Sequence, residues 1–154
     1  MFEIVNMKKY AGGIDEAIQF YHGTWGSDRN YAFYYDAIIH STDGNNGLPR
    51  FYVLLKHGRI IGCYGLVVND FISRHDLCPW LAGLYVIEQE RGHSLGSRLL
   101  QHGEAEAKKA GYSILYLTTD HDGYYEKYGW ERIEDGYEHS GNATRIYRKL
   151  LTEE

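Results

Sequence analysis

Leu84-Tyr-Val-Ile-Glu-Gln-Glu-Arg-Gly-His-Ser-Leu-Gly-Ser-Arg-Leu-Leu100 is the stretch on which the fold turns. The apolar run that leads into it, from about Trp80 to Ile87, has the length and composition of a buried strand. A glycine-containing loop follows. From Ser94 to Ala110, Leu95, Leu99, Gly103 and Ala107 then recur every four residues, which predicts an amphipathic helix. Gly103 would let that helix lie close on a sheet, and Gly111 stands where a C-cap glycine belongs. A strand feeding a helix in this way presents the backbone N–H groups of Gly92, His93, Ser94, Leu95, Gly96 and Ser97 at a helix start. Together with the helix dipole they form a site for a phosphate or pyrophosphate, and Arg91 places a guanidinium beside it.

Working outward, Phe2–Asn6 reads as a first strand and Ile14–Trp25 as an amphipathic helix, with Asp15 and Glu16 favourably near its N-terminus. Ser27 is the expected N-cap of a second helix over Asp28–Ser41, and the turn formers of Ser41–Gly47 predict a loop. The tyrosines of residues 31–35 are expected in the core and lining a cleft. Phe51–Lys56 and Arg59–Val68 make a hairpin around His57-Gly58, and residues 70–78 an irregular loop. Ile114–Thr119 is another strand, Asp122–Tyr128 a short helix that Gly129 ends, and Trp130–Glu134 with Thr144–Leu151 a closing strand pair. The order β-α-α-β-β-β-α-β-α-β-β predicts a mixed α+β domain around one central sheet, with no domain boundary within residues 1–154.

Composition narrows the function classes. The 154 residues carry a net charge of -5, which argues against a general nucleic-acid binder or an anionic-membrane binder. No apolar run is long enough to span a bilayer, and residues 1–20 show no secretory signal. Cys63 and Cys78 make no disulfide framework, so free thiols in a reducing cytoplasm are expected. The histidines and cysteines lack metal-ligand spacing, and no metal site is expected. Between Asp120 and Glu138 seven acids face only Lys127 and Arg132, which makes either a solvated surface or an acidic rim that attracts an amine.

Two segments resemble the motifs of a known family. Val86, Arg91 and Gly96 match motif A of the GCN5-related N-acetyltransferases, and Tyr124-Tyr-Glu-Lys-Tyr-Gly-Trp130 resembles motif B. The predicted element order is also that family's order. The resemblance implies a GNAT-like fold over residues 1–154, with a mostly antiparallel sheet of about seven strands and about four helices. It implies acetyl transfer from acetyl-CoA, as co-substrate, to the primary amine of a small molecule or peptide, by direct attack in a ternary complex. A homodimer is compatible with it. Freed backbone amides near Leu84, Tyr85 and Val86 would hold the pantetheine, Gly92–Ser97 the pyrophosphate, and Tyr125 would protonate the departing thiolate. Ser94 replaces the middle glycine of motif A, and Glu88 a frequent proline. No carboxylate stands where relatives place a general base, which leaves Asp120, His121, Glu88 or a water chain.

Two rival readings remain. Gly92-His-Ser-Leu-Gly96 spells the G-x-S-x-G elbow of serine hydrolases, with Asp120 or Asp122 and then His139 in the expected order. That fold needs a larger, mostly parallel sheet. The other is a non-catalytic domain that binds an acyl-CoA as a sensor.

Overall fold

A computed structural model describes residues 1–44 and 46–151 of the chain. Its centre is one seven-stranded sheet: β1 (Phe2–Asn6), β2 (Arg50–Lys56), β3 (Arg59–Val67), β4 (Trp80–Val86), β5 (Ile114–Thr119), β6 (Glu131–Tyr137) and β7 (Ala143–Leu150). They lie in the order β1-β2-β3-β4-β5-β7-β6. Every neighbouring pair is antiparallel except β4 and β5.

Both faces of the sheet are covered. α1 (Ile14–Trp25) and α2 (Tyr31–Ile39) pack on one side through Ala17, Ile18, Tyr21 and Ile38, against Phe51, Val53, Leu55 and Cys63. α3 (Leu95–Lys109) packs on the other through Leu95, Leu99, Leu100 and Ala107, against Tyr52, Leu54 and Tyr64. Strand β2 sends alternate residues into the two cores, which is why it reads as an unbroken apolar run. Its first residue is a charge: Arg50 is buried, held by Tyr52 and by the Gly44 carbonyl, with the Glu106 carboxylate 3.6 Å away. Ion pairing lets the strand begin one residue before the apolar run. Gly103 does what its spacing predicted, since a Cβ there would lie 2.6 Å from Leu81 Cδ1.

Two expectations change. The second helix starts at Tyr31 because residues 27–30 close a turn of their own: Arg29 N–H donates to Ser27 Oγ (3.3 Å) and Ser27 N–H to Asn30 Oδ1 (2.7 Å). The short helix before Gly129 is a single 3₁₀ turn over Tyr125–Tyr128, preceded by Gly123 at φ 82°, outside the helical region. Among the described residues three α-helices therefore flank the sheet, against an expectation of about four. Of the loop expected at 41–47, Asn45 lies outside the described residues. Among the described residues no helix is long and apolar enough to cross a membrane.

The sheet opens in the middle. β4 and β5 share a single register pair, Trp80 with Tyr116, and diverge beyond it. On its other edge β4 bulges: Cys63 pairs with Tyr85 and Gly65 with Ala82, so Gly83 and Leu84 together oppose Tyr64. Gly83 sits at φ 64°, and a Cβ on it would stand 2.2 Å from Tyr21 Oη, so only glycine fits the bulge.

Candidate active site

Two cavities meet at this splay. One, about 580 Å³, lies against the start of α3 and is lined by Leu84, Tyr85, Val86, Arg91, Gly92, Ser94, Leu95, Gly96, Ser97, His121, Tyr124 and Tyr125. The other, also about 580 Å³, opens toward α1 and α2, and Leu84, His121 and Tyr125 line it as well. A cleft thus runs through the sheet between the ends of β4 and β5, with these three side chains at its waist.

The α3 cavity is built mainly from backbone. The first bond of the helix, from Arg98 N–H to the Ser94 carbonyl at 3.2 Å, leaves the amides of Leu95, Gly96 and Ser97 without an intrahelical acceptor. Ser94 takes the left-handed conformation, φ 59° and ψ 26°, which explains why related motifs carry glycine there. Its hydroxyl caps nothing, and Ser97 Oγ donates to the Ser94 carbonyl at 2.9 Å. Arg91 is fixed from two sides. Its Nε donates to the Val86 carbonyl at 2.8 Å, and its guanidinium lies 5.4 Å from the centre of the Tyr85 ring. Of the residues expected at this loop, His93 alone stays outside the cavity, exposed in the turn that Gly92 (φ 89°) begins.

Tyr125 is half-buried against the core, with its ring 5.8 Å from Tyr147 and 4.9 Å from Tyr124. Burial first, and the charge of a neighbouring Tyr124 second, raise its phenol above the ordinary range, while the Thr119 side chain draws it partly back. The group stays a protonated phenol at neutral pH. Gly129 at φ 87° and the bond from Trp130 N–H to the Tyr125 carbonyl return the chain into β6, and buried Trp130 anchors the turn.

Of the three candidate bases, only His121 reaches the cleft. Glu88 is exposed on a 3₁₀ turn before Arg91, and Asp120 is exposed, with the Thr144 hydroxyl 3.4 Å from its carboxylate. Four of the seven acids in the run of residues 120–138 are paired with arginines, three of which come from elsewhere in the sequence. Arg145 pairs with Asp122, Arg148 with Glu131, Arg74 with Glu134 and Arg132 with Asp135. The solvated-surface reading fits it, and the acidic rim does not form. Among the described residues no hydrolase triad assembles either: His139 belongs to the β6–β7 turn, where its N–H bonds the Phe71 carbonyl, and Asp122 is committed to Arg145.

Sequence reasoning missed the charge that the cleft does contain. Asp70 lines the second cavity, in the loop after β3, among Tyr21, Trp25, Phe33, Tyr34 and Phe71. Burial, aided by the charge of Glu138, pushes its carboxyl up to about 7. Burial raises the phenols of Tyr21 and Tyr34, and the charge of Asp70 adds to both shifts. The loop is pinned on both sides. Asn69 accepts from the Ile72 N–H and donates to the Ile72 carbonyl, while Phe71 and Ser73 bond the β6–β7 hairpin at His139 and Tyr137. The signal in the sequence was slight: a carboxylate between Val67-Val68 and Phe71-Ile72.

Residues 14–130 match the family model described as Acetyltransferase (GNAT) family. Solved structures align over nearly the whole chain at low identity. A GNAT family acetyltransferase from Elizabethkingia anophelis with acetyl-CoA bound is 17% identical, covering 97% of this chain and 98% of its own at a TM-score of 0.64. An aminoglycoside 6'-N-acetyltransferase complexed with coenzyme A is 14% identical, covering 99% and 98% at 0.71. An IAA acetyltransferase from Bacillus cereus is 20% identical, covering 98% and 100% at 0.65. These likenesses bear on the fold. The curated proteins include no significant match.

Proposed function

Because the chain belongs to the acetyltransferase (GNAT) family, we propose that residues 1–154 form one domain that moves the acetyl group of acetyl-CoA to a primary amine. The observation that carries this reading is the splay itself. β4 and β5 part beyond one register pair, and the cleft between them joins an amide-lined cavity to a second cavity past Tyr125. Acetyl-CoA-bound and CoA-bound structures of the same fold support the choice of donor.

In this proposal the free amides of Leu95, Gly96 and Ser97, with Arg91, receive the pyrophosphate, where the helix dipole favours negative charge. The bulged segment Leu84–Val86 offers backbone groups to the pantetheine, and the thioester lies at the waist of the cleft. An ammonium of pKa about 10.4 first gives up a proton, to the His121 imidazole at the waist or to water. The neutral nitrogen then attacks the thioester carbonyl carbon and the C–S bond breaks. Tyr125 Oη gives its proton to sulfur, and the second proton released by nitrogen restores the phenol. The thiolate's basicity, near that of cysteine at about 8.5, makes a phenol an adequate acid when the two are held together.

Thermal unfolding with CoA or acetyl-CoA, and release of free CoA detected with a thiol reagent over a panel of amines, test the proposal together. A ligand selective for the folded state raises the unfolding temperature by mass action. Stabilisation with amine-dependent CoA release supports the enzyme. Stabilisation without turnover on any amine would leave the acyl-CoA sensor in its place.

A further inference from the structure

We infer that the cavity around Asp70 is the acceptor subsite, and that it takes a primary amine with a single positive charge carried on an apolar, preferably aromatic, body. This rests on the acetyltransferase reading and narrows it to a substrate class.

The charges of the lining decide the first half. Asp70 is its one carboxylate; neither lysine nor arginine lines the cavity, and its one histidine, His121, stands at the waist with Tyr125. No ion pair or hydrogen bond to the Asp70 side chain is present among the described residues, whereas arginines pair with Asp122, Glu131, Glu134 and Asp135. A carboxylate drawn out of water without a cation is costly, and an arriving ammonium supplies the missing partner. The groups that face Asp70 are the phenols of Tyr21 on α1 and Tyr34 on α2, and Glu138 at the β6–β7 turn. None is a cation.

The walls decide the second half. Tyr34, Phe33, Phe71 and Trp25 present ring faces and edges, and Phe33 and Phe71 meet across the loop with their centroids 5.6 Å apart. Phe71 holds the left-handed conformation at φ 55°, a costly posture for a phenylalanine that the hairpin bonds impose. Rings attract one ammonium and pack on an aryl or alkyl body. A second or third ammonium, as in a polyamine or an aminoglycoside, would meet the same rings with no further carboxylate in the lining, Glu138 standing exposed outside it, and would lose its hydration without compensation. The volume of about 580 Å³ suits a body of drug-like size or smaller.

The test compares 2-phenylethylamine, n-butylamine, spermidine and kanamycin as acceptors for the wild type, Asp70→Asn and Phe33→Ala, at saturating acetyl-CoA. Phenylethylamine should surpass spermidine and kanamycin in kcat/KM by about 10-fold or more, the scale of a lost charge-assisted contact. Asp70→Asn should raise the KM for phenylethylamine by at least about 10-fold with the KM for acetyl-CoA unchanged. Phe33 is on the rim, so its truncation spares the fold, and Phe33→Ala should shrink the preference for phenylethylamine over butylamine. Preference for a polycation, an unmoved amine KM in Asp70→Asn, or an unmoved aryl-to-alkyl ratio in Phe33→Ala would each overturn the inference and leave the transferase standing. Should no amine be acetylated, the transferase reading fails. Calorimetric binding of phenylethylamine, present in the wild type and lost in Asp70→Asn, then decides the subsite alone.

Discussion

The two cavities that meet at Tyr125 are equal in volume and opposite in construction. The α3 side comes mostly from one continuous segment, Leu84 to Ser97, and what it offers is largely backbone: bulged strand, left-handed Ser94 and the free amides of a helix start. The other side gathers rings and one carboxylate from α1, α2, the loop after β3 and the ends of β4 and β5. Backbone amides are the same whatever the side chains, so the first side should tolerate substitution wherever no Cβ obstructs. The second side has no function apart from its side chains, and single changes should be felt there.

The waist common to both should show the largest effect. Tyr125→Phe keeps the ring and removes the proton, so turnover should fall roughly 10²–10⁴-fold while CoA still raises the unfolding temperature. Unchanged turnover, measured where chemistry limits the rate, would remove Tyr125 from the mechanism. On the α3 side, Gly96→Glu should abolish the CoA-induced stabilisation. It sets a carboxylate at the expected pyrophosphate position, and a Cβ on Gly96 already comes within 3.6 Å of Tyr124 Oη. His93→Ala, outside the cavity, should leave that stabilisation as it is, and a loss there would break the backbone account.

On the aromatic side, Asp70 should cost stability where it serves binding. Its folded carboxyl titrates near 7 and its unfolded one near 3.9, so between those values the folded state binds the extra proton. Stability supplied by the protonated form is therefore lost as pH rises from about 4 to about 7. Asp70→Asn should be more stable than the wild type by about 2 kcal/mol at pH 8, a figure reduced for partial solvent contact, and no more stable at pH 3.5. Equal unfolding temperatures at pH 8 would show that the carboxylate is already compensated. The smallest effect is expected from Ser94→Gly, which relieves a left-handed residue worth about 1 kcal/mol. It should raise the unfolding temperature slightly and keep or improve CoA stabilisation. Weakened stabilisation would mean that the Ser94 hydroxyl itself donates to the ligand.

The same contrast explains what could be read in advance. The ends of α1 and β5 and the hairpin turn at His57-Gly58 follow from periodicity and turn chemistry, which act over a few residues. α2 starts later than its capping signal predicts because Ser27, Arg29 and Asn30 spend their capping groups on one another, a choice made between neighbouring turns that residue type alone leaves open. The 3₁₀ turn at Tyr125 is shorter than the helix its sequence predicts because Gly123 can enter the helical region as easily as leave it, and here it leaves it at φ 82°.

By itself, the sequence determined the alternation of strands and helices, the glycine-bearing start of α3 and the tyrosine turn before Trp130, since each is a matter of residues close in the chain. Only the tertiary structure decided that β4 and β5 part after Trp80 and Tyr116, that Tyr21 stands where Gly83 can have no side chain, and that Asp70 faces rings instead of water. A carboxylate's charge depends on the dielectric and on the charges around it. Those are set by groups from Tyr21 to Glu138, far apart along the chain, and no local pattern records them.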